Sequence, residues 1–166
     1  MQWTKLNFGK HKGKTLPQII FIDADWFFWA YENNVFKKNN ILKNESNVLY
    51  KRTTHIKPPL NNFVKHFINY DNSSFGFSFI SKDIAKSKYS EYLEDNYFDK
   101  DYENFDNTYF TIKKNIDLSF PRQQKVYDKK GYKNFIKQLK NYIFDGKRAT
   151  KEKTENFFNN INNFSI

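Results

Sequence analysis

The chain of 166 residues contains no cysteine. Disulfides, thiolate zinc sites, iron–sulfur clusters and a cysteine nucleophile are therefore excluded. Histidine is scarce too. His11, His55 and His66 stand far apart, none has a companion at i+3 or i+4, and neither a metal ion nor a cofactor is expected. Five glycines and four prolines are too few for a flexible or proline-rich linker, and no internal repeat is present. No apolar run approaches the about 18 residues of a membrane span. The N-terminal stretch also lacks the layout of a secretory signal. These absences imply no membrane and a cytoplasmic location, the host cytoplasm if the protein is viral. A chain of this length buries a core without covalent staples, so one globular unit is expected.

Cations and rings are plentiful. Lys and Arg number 28 against 18 Asp and Glu, giving a formal charge of +10, and aromatic residues make up 20% of the chain. Phosphates attract lysine and arginine, and unstacked bases seat on flat rings, so the balance points toward nucleic acid. Only Arg52, Arg122 and Arg148 are arginines. Such lysine bias argues for contact with a phosphate backbone over bidentate reading of guanine, and it is also what AT-rich codon usage produces. The charge is laid out in blocks. Residues 1–20 carry four lysines and no acid, 21–36 three acids and no base, and 69–111 nine acids against four bases. Residues 37–68 and 112–166 are strongly basic. The acidic run Glu91, Glu94, Asp95, Asp99, Asp101, Glu103 and Asp106 reads as a surface loop or frayed helix without the spacing of a calcium loop.

Local patterning predicts a strand over Trp3–Phe8 and a hairpin through Gly9–Gly13. A helix starts near Thr15 and Pro17, and Asp23 or Asp25 caps a second one. Asn47–Ile56 reads as a strand, and Leu60, Phe63, Val64, Phe67 and Ile68 as one helical stripe that leaves His66 on a helix surface. Phe75–Phe79, Tyr109–Lys113 and Ile116–Phe120 read as strands. Tyr132–Ile143 and the segment from Lys151 read as helices. Strands and helices mix without a βαβ rhythm, so the expected class is α+β: a small mixed domain with an N-terminal β-hairpin plus helix module (1–36) and a helical C-terminus in the remainder (37–166).

Three constellations carry the candidate chemistry. The first is Phe8-Gly9-Lys10-His11-Lys12-Gly13-Lys14-Thr15, a tight turn presenting Lys10, His11, Lys12 and Lys14 to a phosphate backbone, or else a solvated hairpin. It is not a nucleotide-hydrolysing P-loop, because three residues and not four separate Gly9 from Gly13. Together with Leu16, Ile19 and Asp23-Ala24-Asp25-Trp26-Phe27-Phe28-Trp29, this turn resembles the exodeoxyribonuclease X-like C-terminal domain, with its F-G-K-x-K-G-K turn and D-P-x-Y-L-x-W helix. Asp23 matches the family Asp, Trp26 and Phe27 its Tyr and Leu, and Trp29 its Trp, while Ala24 replaces the Pro. The resemblance covers about residues 3–33. It implies an accessory module that binds nucleic acid and has no chemistry of its own.

The second is Ile19–Asp25, an apolar run ending in D-x-D. Such a pair holds Mg²⁺ in some exonucleases, so Asp23 and Asp25 give an alternative reading as metal ligands of a nuclease. No later carboxylate motif completes that set, and an acid near a helix N-terminus accounts for Asp25 equally well. The third is the basic C-terminal third. Lys129, Lys133, Lys137 and Lys140 recur at helical spacing on one face, Lys147 and Arg148 extend them, and Lys51 and Arg52 form a further basic site. A solvated helix face is the plain counterpart of this stripe.

Non-catalytic nucleic-acid binding is the reading favoured by these features, with single strands preferred because no major-groove reading helix is recognisable. A protein-binding adaptor or inhibitor, acting on a nuclease or another protein complex, is the rival from a different class. It would use Trp26, Phe28 and Tyr31 as exposed anchors and the acidic segment 91–106 against a basic partner.

Overall fold

Thr15, Pro17 and Gln18 start the first helix. Gln18 Oε1 accepts the Thr15 backbone N–H (3.1 Å), and Pro17 stands in the first turn, where its missing N–H costs nothing. The computed structural model describes residues 1–94, 99–100 and 107–166. In it α1 (Leu16–Glu32) runs through a break at Asp23, which leaves helical geometry at φ −157° and ψ 64°. Asp23 Oδ1 accepts the Trp26 backbone N–H (3.3 Å), so Asp23 caps a second helical half. Helix α2 (Asn40–Thr53) is capped by Asn39, whose side chain accepts from the N–H groups of Ile41 and Leu42. Near the C-terminus α5 (Lys129–Phe144) begins at Asp128, which accepts from the Gly131 N–H (2.9 Å), and ends at Asp145 in left-handed backbone. Helix α6 (Lys151–Asn159) follows under a Thr150 cap.

Between these helices lies an antiparallel sheet of β1 (Asn62–Asn69), β2 (Ser74–Ser81), the two-residue β3 (Asp99–Lys100) and β4 (Thr108–Lys113), in the order β2-β1-β4-β3. Val64 and Ile68 face the main core with Phe28, Phe77, Phe135 and Leu139. On the opposite face Phe63, Phe110 and Ile112 form a smaller cluster with Ala85, covered by α3 (Lys82–Lys88) and α4 (Ser90–Glu94). The N-terminal segment is fastened to α6, where Trp3 Nε1 donates to Asn159 Oδ1 (2.9 Å). Helices at both ends of the chain around one antiparallel sheet make the fold α+β.

Several local expectations are corrected. Asn47–Ile56 is not a strand, because most of it belongs to α2. The inward positions of α2 are Leu42, Glu45, Ser46, Leu49 and Thr53, so polar residues occupy the helical stripe and hide its period. Glu45 is tolerated there because its Oε1 accepts from the Thr4 N–H (2.9 Å) and Thr4 Oγ1 (2.8 Å). The Leu60–Ile68 stripe is not a helix. Leu60 is 89% exposed, and Val64, His66 and Ile68 alternate inward along β1, so His66 is fully buried and lies on no helix surface. Trp3–Phe8 forms only an isolated bridge, Lys5 with Thr15, and Ile116–Phe120 leads from a bridge to Ile56 into a 3₁₀ turn. Asp95, Asp101, Glu103 and Asp106 of the acidic run lie outside the described residues.

Candidate functional site

The lysine face of α5 is one wall of a groove. Lys129, Lys133 and Lys137 are exposed and Lys140 is half-buried, while Tyr132, Phe135, Ile136 and Leu139 turn into the core. Burial lowers the pKa of Lys140 from its ordinary value. The opposite wall is the break of α1, Ile22 to Asp25, and Phe21, Tyr132 and Ile136 contribute the apolar floor of a cavity of about 310 Å³. Ile22 is 52% exposed beside it. A lysine row, an apolar floor and two carboxylates thus meet in one concave place.

The carboxylates are already in company. Lys10 Nζ stands 2.6 Å and His11 Nε2 3.1 Å from Asp23 Oδ2. Burial alone would raise the Asp23 pKa, but the hydrogen bonds from Lys10, the Trp26 N–H and His11 outweigh it and hold the group below the usual carboxylate range. Asp25 Oδ1 pairs with Arg122 Nη1, and Lys129 Nζ lies 3.6 Å from Oδ2. Arg122 also donates to Glu32 (2.6 Å). Burial would lower the Arg122 pKa, yet Glu32 and Asp25 raise it. Burial and the Asp25 carboxylate likewise push the Tyr127 hydroxyl up.

The glycine turn reaches the same place. Gly9 (φ 67°) and Gly13 (φ 83°) supply the left-handed backbone that closes it, and Gly13 N donates to Leu6 O (2.7 Å) and Leu6 N to Lys14 O (2.9 Å). Lys10 ties this turn to Asp23, as Lys129 ties α5 to Asp25, so two basic segments far apart in sequence flank the break of α1 at Asp23. Lys12 and Lys14 project from the turn into solvent. His11 is buried against Asp23 and edge-on to the Trp26 ring (4.8 Å), so its side chain props the turn and is not presented outward.

Other predicted residues lie outside the groove. Arg52 donates to the Phe158 carbonyl and sits over the Phe164 ring (5.7 Å), a role in joining α2 to the C-terminal segment, while neighbouring Lys51 is exposed. Lys147 and Arg148 are exposed on the α5–α6 connection. The expectation of Phe28 as an exposed anchor is corrected: it is fully buried, because it falls on the inner face of α1 against the core and edge-on to Tyr50. Trp26 and Tyr31 are half-buried, and Tyr31 stacks on Tyr50 with centroids 4.3 Å apart. The exposed ring of α1 is Trp29, at 48%.

Serine, histidine and aspartate also meet, but not as a catalytic triad. The Asp117 backbone N–H donates to His66 Nε2 (3.0 Å), whereas Ser119 Oγ donates to Asp117 Oδ1 (2.6 Å). The serine is thus bound to the carboxylate and not to the imidazole, and the histidine is sealed in the core. Among the described residues no group of three or more His, Asp or Glu side chains gathers as a metal site. No helix among them is long and apolar enough to cross a membrane.

No family model, curated protein or solved structure matches the chain. Sequence reasoning missed Arg122 as the partner of Asp25, 97 positions away. It also missed Ile22 and Ile136 as the groove's apolar lining. A pairing over that distance leaves no local signal, whereas Ile136 was legible only as a core position of α5.

Proposed function

We propose that the protein binds nucleic acid without catalysis, gripping the phosphate backbone along the groove between α1 and α5 and preferring single strands. The observation that carries this reading is the alignment of Lys129, Lys133, Lys137 and Lys140 along an apolar, concave floor. Residues four apart on a helix rise by about 6 Å, close to the separation of successive phosphates in an extended strand. Cations on that row neutralise phosphates, and the floor shelters base surface from water. A duplex keeps its bases stacked and paired and does not lay them on such a floor. Lys10, Lys12 and Lys14 extend the positive field past the break of α1. The partial resemblance of residues 3–33 to an accessory module of DNA-handling enzymes agrees with binding in the absence of chemistry. Asp23 serves here as a structural anchor of the turn through Lys10, and Asp25 holds Arg122.

A gel-shift experiment tests the reading. Labelled single-stranded and duplex oligonucleotides are titrated with and without Mg²⁺. Single strands are expected to shift at lower protein concentration and to be recovered intact. Strand cleavage in Mg²⁺ would replace this reading with that of a nuclease, and failure to shift either substrate at low salt would remove nucleic acid altogether.

A further inference from the structure

Resting on that reading, we infer that the groove seats individual bases of the strand and favours those bearing an exocyclic amino group, with Asp25 as the specificity-determining residue. The two walls carry opposite charge. Lys133, Lys137 and Lys140 line one side, Asp23 and Asp25 the other, with the apolar floor between them. A phosphate is drawn to the first wall and repelled by the second. One nucleotide supplies both complements: an anion at one end, and at the other a base whose edge carries N–H donors or carbonyl acceptors. An ionised carboxylate only accepts. The cytosine amino group therefore suits the acidic wall, and the uracil carbonyl at the same ring position is repelled by it.

Of the two carboxylates Asp25 is the one placed to accept. Asp23 Oδ2 is engaged by Lys10 and His11 and its Oδ1 by the Trp26 N–H. Asp25 Oδ1 is fixed by Arg122, which orients the group, while Lys129 stands 3.6 Å from Oδ2 on a side chain that is 75% exposed. That lysine can turn toward an arriving phosphate on its exposed stem, and the amino group of the base then joins the neighbouring Tyr127 hydroxyl in facing the Asp25 carboxylate. An acidic peptide would match the lysine wall but would meet the carboxylates opposite. A duplex shows the cytosine amino group only in its major groove and keeps the base stacked, off the apolar floor.

The test is fluorescence anisotropy with labelled oligo-dC and oligo-dU of equal length at slightly alkaline pH. These strands differ at the base edge and share backbone and ring size. Oligo-dC is expected to bind at least about tenfold tighter, the scale of one hydrogen bond to a charged acceptor. Asp25→Asn, whose amide both donates and accepts, is expected to bring the two within about twofold. Competition on the unaltered protein makes the same comparison without a variant: cytidine monophosphate should displace a bound strand better than uridine monophosphate. Equal affinity for the two strands, or tighter oligo-dU, overturns the base preference and leaves backbone binding standing. Binding of neither strand overturns both. Displacement of the strand by polyglutamate as effectively as by oligo-dC assigns the groove to an acidic protein and overturns the inference.

Discussion

His66 gives the protein its clearest pH signature. Full burial pushes its pKa down to about 3, against about 6.5 in the unfolded chain. The unfolded state therefore binds more protons between these values. The contribution of His66 to stability is whole above about pH 6.5 and falls by about 1.4 kcal/mol per pH unit as pH drops toward 3. Asp23 and Asp117 have lowered pKa values as well, so their contributions are lost only at more acid pH, below the usual carboxylate value of 3.8. Denaturant melts between about pH 7 and 4.5 should show the slope, and His66→Leu should flatten it whatever its effect on absolute stability. A pH-independent midpoint in the unaltered protein would contradict the account. Phe28 tests burial in another way: Phe28→Ala should cost about 3–5 kcal/mol of stability, read by the same melts, as truncation of a core ring does. Little of this was legible residue by residue. A cap at Asp23 or Asp25 followed from their position before an aromatic helix, but His66 looked like surface because the false helical stripe of Leu60–Ile68 put it beside the apolar face. Only the surrounding Phe120 and Phe135 rings and the Asp117 N–H make it a core residue.

Among the described elements β2 lies at the edge of the sheet, and a side chain guards one of its outward backbone pairs. Gln138 of α5 accepts from the Phe77 N–H (3.0 Å) through Oε1 and donates to the Phe77 carbonyl through Nε2. An unguarded pair of this kind invites another strand. Gln138→Leu should destabilise the fold by about 1–3 kcal/mol and promote concentration-dependent association, followed by light scattering. Unchanged stability and a monodisperse solution would show that the edge needs no guard. The same contact surface explains Gly131 at the start of α5, where an added Cβ would lie 1.9 Å from the Ser73 carbonyl oxygen. Gly131→Ala is expected to lower the melting midpoint markedly by forcing α5 away from β2. Element type was readable where apolar spacing coincided with burial, as along β2, β4, α5 and α6. It failed at α2, where Glu45 and Ser46 face inward, and at β1, where exposed Leu60 completed a false helical stripe.

For the whole molecule, the sequence showed basic blocks but not whether they meet. They do so in part: Lys10 and Lys129 close on either side of the α1 break, whereas Arg52 is engaged with the C-terminal segment. The lysine row of α5 was visible at helical spacing. The groove beside it was not, because it exists only where the break at Asp23 opens α1 against α5. Salt dependence of single-strand affinity tests the resulting claim most directly. In anisotropy titrations the logarithm of the binding constant should fall linearly with the logarithm of salt concentration, by about 0.7 per phosphate neutralised. Replacing Lys133, Lys137 and Lys140 together by Ala should reduce that slope by about 2, with weaker binding and an unchanged fold by circular dichroism. An identical slope and affinity in the triple variant would contradict the claim that this groove carries the strand.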